Sequence, residues 1–218
     1  MSSIKTDSSS AGKTSVSHQL TFQQATVKRV FDFLFAFIGI VVLWPLMLAG
    51  WLIATVSTRS NGLFVQQRIG LEGKLFPLFK LKTMRPVEGV SSSVTADSDV
   101  RITPSGRWLR KLKIDELPQL FNVLFGHMSL VGPRPDVPGF ADELVGEDRV
   151  VLSVRPGITG PASIAYRKEE EILAGVDSPE DYNRNVIWPD KVRINKQYLK
   201  DYSLWRDVKF ILQTVLGK

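Results

Sequence analysis

The sequence predicts an α+β protein, a mostly helical membrane-interface domain carrying a little β-structure. Three observations predict it. Phe33 to Val56, FLFAFIGIVVLWPLMLAGWLIATV, contains no charged residue. Short alternating runs at Leu63–Gln67 and Phe79–Met84 have strand character. Later segments place apolar residues at helical spacing, as several amphipathic helices would. Repeated strand–helix alternation and a Gly-rich phosphate loop are both missing, so a doubly wound dinucleotide fold is not expected.

The first element is a tail. Residues 1–20, MSSIKTDSSSAGKTSVSHQL, are rich in Ser and Thr and too poor in apolar residues to order themselves. A signal peptide is not expected, because the apolar run starts late and exceeds the usual h-region. Residues 21–58 then hold the membrane helix. As a straight helix the uncharged run would be about 36 Å long, enough for a bilayer core. A buried core helix is the other reading, and soluble domains rarely hold one this apolar. Pro45 lies mid-run, lacks an N–H and crowds the carbonyl of Val41, which predicts a kink. Lys28 and Arg29 precede the run and Arg59 and Arg68 follow it. Cations on both flanks fit a single crossing poorly. They suit a helix that enters, bends at Pro45 and returns, yet spanning helices also contain proline. Both courses stay open from these residues alone.

Residues 59–218 form the remaining domain. Asn61-Gly62 marks a turn ahead of the strand run at Leu63–Gln67. The second run, Phe79–Met84, alternates apolar and basic residues, and Val87–Asp99 is a polar loop. Helices are predicted over Ser105–Lys113 and Glu116–Phe125. Near the C-terminus Ser203 caps a helix carrying Leu204, Trp205, Val208, Ile211, Leu212, Val215 and Leu216 on one face. That face is expected to pack on the core, with a membrane-surface role as the alternative.

Composition narrows the chemistry. The 218 residues suffice for one domain with a real core. A net charge of +6 and a pI near 9.6 predict an anionic partner: nucleic acid, an acidic membrane surface or a phosphorylated substrate. With no cysteine, disulfides, thiolate metal sites and cysteine nucleophiles are excluded. Only His18 and His127 are present, which argues against a histidine metal site or triad. Chemistry must rest on carboxylates, cations and backbone.

Arg101, Arg107, Arg110, Lys111 and Lys113 form a cationic run that a solvated face or anionic headgroups would explain. Asp115-Glu116 follows it directly, two residues before Pro118. Pro118 in a first helical turn would put Asp115 or Glu116 at or beside the N-cap. The helix end and the cations should keep both ionised. An ionised Asp attacks phosphorus only where cations neutralise the phosphate. By pattern alone the plain cap leads. Downstream, Gly132-Pro133-Arg134-Pro135 is stiff, since Pro135 keeps Arg134 out of the α region, and it presents one guanidinium to a phosphate oxygen pair. Arg155 heads a similar Pro-Gly turn in VRPGITG.

Together these blocks resemble a known family. The apolar run with a central proline, FKLKTM, DVRITPSGRWLRKLKIDELPQLFNVLFGHMSLVGPRP and VRPGITGPA are similar to the bacterial sugar transferases, the monotopic phosphoglycosyl transferases. The likeness runs from about Lys28 to the C-terminus and points to a short, minimal form. It implies a two-step transfer of a phosphosugar from a UDP-sugar to polyprenol phosphate, undecaprenyl phosphate being the expected lipid. Asp115 would be the nucleophile that expels UMP, and Glu116 would help hold Mg²⁺ and assist the lipid's attack. Arg134, between Pro133 and Pro135, would contact phosphate. Arg155, Lys80, Lys82, Arg101, Arg107 and Arg110 would serve the diphosphate or the headgroups. The likeness also implies a re-entrant helix kinked at Pro45, a catalytic domain on the cytoplasmic face of the bacterial inner membrane, no nucleic acid partner and room for a homodimer. It reverses the order of the two readings of the acid pair.

Two departures stand out. The segment after RPGITG lacks the tryptophan and Asn-Gly-Arg of many members, which leaves the sugar open. Lys82-Thr83-Met84 stands where several relatives carry Arg-Ser-Met, keeping the charge without the fork. Two other functions compete. A basic membrane-tethered module could bind lipid or another anion without catalysis, and a single-pass structural protein would need only the apolar helix.

Overall fold

The computed structural model describes residues 19–87 and 99–217. The expected tail, save its last two residues, and nearly all of the expected polar loop lie outside them. Helix α1 runs over Phe22–Thr58 and starts in a capping box, where the Thr21 hydroxyl accepts from Gln24 N–H and the Gln24 side chain accepts from Thr21 N–H. It continues as helix through Pro45. Lys28, Asp32, Ala36, Met47, Gly50, Ala54 and Thr58 are buried, a stripe at helical spacing on both sides of the proline. The other faces expose Phe33, Phe37, Val41, Val42, Leu48 and Leu52. Only 17% of its most apolar window is buried within the protein, so a soluble core helix is excluded as its role.

Strands β1 (Leu63–Ile69) and β2 (Leu75–Leu81) form an antiparallel hairpin, with Leu63 opposite Leu81 and Ile69 opposite Leu75. The sequence places the second strand later, at Phe79–Met84. Register explains the difference: the short turn at Leu71–Gly73, with Glu72 and Gly73 both at positive φ, starts the return strand at Leu75. Met84 makes only an isolated bridge to Ile102.

Helix α2 covers Pro104–Lys111, capped by the Thr103 hydroxyl, which accepts from Gly106 N–H. Lys113 then adopts φ 56° and turns the chain into a single 3₁₀ turn, Ile114–Glu116, before α3 at Gln119–Leu124. The predicted helix from Glu116 is thus two elements. Strands β3 (Ser129–Val131) and β4 (Gly157–Thr159) pair in parallel. Their outgoing and incoming turns meet: Gly157 N–H donates to Pro133 O at 2.8 Å, and a Cβ on Gly132 would lie 2.5 Å from Arg155 O. Helices α4 (Pro161–Ala165), α5 (Glu169–Ala174), α6 (Pro179–Tyr182), α7 (Trp188–Lys200) and α8 (Leu204–Val215) complete the described chain.

Helix α8 begins at the expected Ser203 cap, but its apolar face does not all pack on the core. Trp205, Leu212, Val215 and Leu216 are exposed, while Asp207 is fully buried. The reason lies on α1. Lys28 Nζ donates to Asp207 Oδ2 at 2.5 Å, and Tyr198 OH donates to Asp207 Oδ1 at 2.7 Å. Asp32 accepts from Leu130 N–H at 3.0 Å. These contacts tie the N-terminal half of α1 to the domain; Gly50 and Ala54 tie the other half to Leu81, Leu109 and Ile114.

Candidate active site

The left-handed Lys113 and the buried Ile114 aim the acid pair. Ile114 packs with Ala54, Leu81 and Leu109, which fixes the 3₁₀ turn against α1 and β2. Pro118 occupies the N-cap position of α3, and no side chain caps either the turn or the helix. The plain N-cap account of Asp115 and Glu116 is therefore replaced.

The two acids have opposite environments. Asp115 is buried, and its Oδ1 has no hydrogen-bond partner among the described residues. Burial, with repulsion from Glu116, pushes its carboxyl up to about 6, against the pull of Lys80, Lys113 and Arg110. Glu116 is equally enclosed, and desolvation opposes its charge. The nearby Arg134, Lys80 and Lys113 outweigh that effect and hold it well below the usual carboxylate range. Glu116 Oε1 accepts from Arg134 Nη2 at 2.8 Å and from Lys80 Nζ at 3.1 Å. Strand β2, the 3₁₀ turn and the stiff segment after β3 thus converge on one carboxylate oxygen.

Arg134 reaches it from between a half-buried Pro133 and a buried Pro135. Glu116 raises the guanidinium's pKa, so its charge is permanent. Beside it lie residues that sequence reasoning missed as site members. Arg68 donates to Pro135 O at 3.3 Å and to Gln66 Oε1 at 2.8 Å, and its Nε is buried without a partner among the described residues. Burial pushes Asp136 up to about 6, although Lys191, Arg68 and Arg134 oppose it. Lys191 Nζ donates to both oxygens of Glu169, at 2.7 and 2.8 Å. Apart from Asp136, which follows Pro135 directly, no local motif marks these groups, which come from four segments.

The remaining expected site residues divide. Arg110 acts electrostatically on both Asp115 and Asp99, so it belongs to the site's positive field. Arg101 forks onto Asp99, with Nη2 to Oδ2 at 2.6 Å and Nε to Oδ1 at 3.0 Å. Arg107 is exposed on α2. Lys82 donates to Ser60 Oγ at 2.8 Å, bracing the end of α1. Arg155 turns away from the acids. Its Nε donates to Gly126 O at 2.7 Å, beside Arg29, which donates to Val123 O and Leu124 O, so both cations satisfy the carbonyl end of α3.

Among the described residues no three carboxylate or histidine side chains cluster as a metal cage. Asp115 and Glu116 are a two-carboxylate donor set, the kind that suits a hard cation completing its shell from water and a phosphate.

Comparison with known proteins adds a second line. A family model described as bacterial sugar transferase matches residues 23–217. The chain is similar to a UDP-N-acetylgalactosamine-undecaprenyl-phosphate N-acetylgalactosaminephosphotransferase of Aeromonas hydrophila, 35% identical over 88% of this chain and 43% of that protein. It is similar to an undecaprenyl-phosphate glucose phosphotransferase of Komagataeibacter xylinus, 35% identical over 86% of this chain and 35% of that protein. A UDP-glucose:undecaprenyl-phosphate glucose-1-phosphate transferase of Caulobacter vibrioides is 36% identical over 86% of this chain and 68% of its own length. The chain spans less than half the length of the first two.

Proposed function

The chain belongs to the bacterial sugar transferase family, and from that premise we propose that it moves a phosphosugar from a UDP-sugar to a polyprenol phosphate at the membrane surface. One observation carries the reading: a buried, unpartnered Asp115 oxygen stands beside an acid that gathers Lys80 and Arg134. A carboxylate desolvated among cations is a poor structural element and a good nucleophile toward a charge-neutralised phosphorus.

In the first step an Asp115 carboxylate oxygen attacks the β-phosphorus of the UDP-sugar. The bond from that phosphorus to the bridging oxygen breaks, UMP departs with the electron pair, and an aspartyl phosphosugar remains. In the second step an oxygen of polyprenol phosphate attacks the same phosphorus. The aspartyl–phosphorus bond breaks, which returns the Asp115 carboxylate and gives polyprenol-diphosphate-sugar. Arg134 and Lys80 hold the charge that builds on the phosphate oxygens. Glu116 keeps those two cations in place, and its low basicity suits an anchor better than a proton acceptor.

The orphaned Asp115 Oδ1 and the neighbouring Glu116 carboxylate fit a Mg²⁺ ion bound through the substrate's diphosphate. Such an ion would supply further neutralisation of phosphate charge. A basic tethered module without chemistry leaves the desolvation of Asp115 unexplained. The buried stripe on both sides of Pro45 supports a re-entrant α1, because both halves rest on one body; that body would then sit on one face of the membrane, the cytoplasmic face in this reading.

The test is covalent labelling. Full-length protein given UDP-sugar radiolabelled in the β-phosphate, without lipid, should retain label and release UMP. Asp115→Asn should do neither. Normal turnover by that variant would remove Asp115 from the mechanism.

A further inference from the structure

An apolar groove of about 290 Å³ borders the acid-bearing turn, and the catalytic steps above leave it unused. Its walls include Met47 and Trp51 of α1, Phe79 of β2, and Pro118, Phe121 and Phe125 of α3. Every lining residue is apolar. Trp51 and Phe125 also reach the outside, at 37% and 61% exposure, so the groove opens outward along the membrane helix.

Its position says what fits. Side chains alternate along β2, so Phe79 faces the groove while Lys80, next in sequence, turns to Glu116. Pro118, two residues past Glu116, is both groove wall and N-cap of α3. One strand and one turn therefore border the charged site and the groove together. On its other side the groove is continuous with the exposed apolar faces of α1. A molecule held here would keep a hydrocarbon chain against α1 and a charged head near Lys80 and Arg134.

We propose that this groove seats the first isoprene units of the polyprenyl chain, so that the lipid's phosphate is delivered in line to the Asp115 site. The inference rests on the function proposed above. The occupant is an isoprenoid and not a general acyl chain because the groove adjoins the cations that the phosphate acceptor of the proposed reaction needs, and half of its eight lining residues are aromatic. Trp51, Phe79, Phe121 and Phe125 present flat faces to branched, unsaturated units. At about 290 Å³ the groove takes only the head-proximal part of such a chain, and the remainder stays in the bilayer.

The experiment uses the full chain in nanodiscs and compares undecaprenyl phosphate with a short prenyl phosphate, citronellyl phosphate, as acceptors. Phe121→Ala and Trp51→Ala should each reduce the preference in kcat/KM for the long acceptor by roughly tenfold, about 1.4 kcal/mol. Phe121→Leu, which keeps the apolar fill, should retain most of it, and Val145→Ala, at an exposed position outside the groove lining, should retain all. A diazirine-bearing farnesyl phosphate should cross-link to the peptides holding Met47–Trp51 and Pro118–Phe125. An unchanged chain preference in both alanine variants would overturn the proposal. So would cross-links confined to the outward side of α1, or groove labelling by a photoactivatable phospholipid that prenyl phosphate fails to displace. If no UDP-sugar gives product with either acceptor, the functional reading falls, and the cross-link map still decides whether the groove takes a prenyl chain.

Discussion

Asp115 and Glu116 are adjacent, yet burial and charge push their acidities apart. Asp115 illustrates the cost of a buried, unpartnered carboxylate. Its acidity in the folded state lies near 6, above the ordinary 3.8, so the folded protein binds this proton more tightly than the unfolded chain. Stability must then fall as pH rises from about 4 through 6. Asp115→Asn removes that penalty. In magnesium-free buffer the variant should be more stable than the parent at pH 7.5 by roughly 2–3 kcal/mol, with the gap closing at pH 4, as urea midpoints would read. An equal gap at both values would refute the desolvation account. Glu116 has the opposite sign: its stabilisation is present above its ordinary 4.5 and lost as pH falls below it. Removing a cation tests the anchor. Lys80→Met leaves Glu116 Oε1 with Arg134 alone and should slow labelling by UDP-sugar about a hundredfold, measured in single-turnover mixing. That Asp115-Glu116 was special could be read from FKLKTM, DELPQL and VGPRP together; that the two acids differ could not. Acidity depends on what lies above and beside a side chain, and Arg134 arrives from 18 residues away.

At the scale of elements, periodicity located α1, α2 and α8, passed over α4 to α7, and said less about what covers each helix. The stripe on α1 and the caps at Thr103 and Ser203 follow from residue types at fixed spacing. The face of α8 was misassigned because seven apolar residues outweigh one acid in any amphipathic pattern. In three dimensions Asp207 points inward to meet Lys28, 179 residues away, and pulls the helix round until Trp205 and Val215 face outward. Asp207→Asn would leave the Lys28 ammonium buried without its counter-charge, at a cost of about 3–5 kcal/mol. Thermal unfolding in detergent should show the corresponding drop in midpoint. A midpoint unchanged from the parent's would mean that apolar contacts alone hold α1 to α8. Arg155 teaches the same lesson. Its motif resembles the Pro-Arg-Pro that brings Arg134 to Glu116, but its side chain ends on the carbonyl of Gly126.

The whole molecule is one body resting along an apolar helix, and how that helix meets a membrane is open to direct measurement. Because the chain has no native cysteine, Gln23→Cys before the apolar run and Lys74→Cys on the hairpin can be introduced singly. A re-entrant α1 should give both cysteines the same accessibility to an impermeant maleimide, in intact spheroplasts and in inverted vesicles alike. Opposite accessibility would establish a crossing and sink the re-entrant arrangement. The sequence by itself determined that this protein has a long uncharged apolar helix, that it offers no cysteine chemistry, and that an acid pair adjoins a cationic run. Those facts reside in composition and in local spacing, which folding does not alter. Only the tertiary structure decided that Lys80 and Arg134 share one oxygen of Glu116, that Arg155 donates to Gly126 O, that Asp207 is buried, and that an apolar groove adjoins the acids. Each of those depends on contacts between residues far apart in the chain, set by how strands, turns and helices pack.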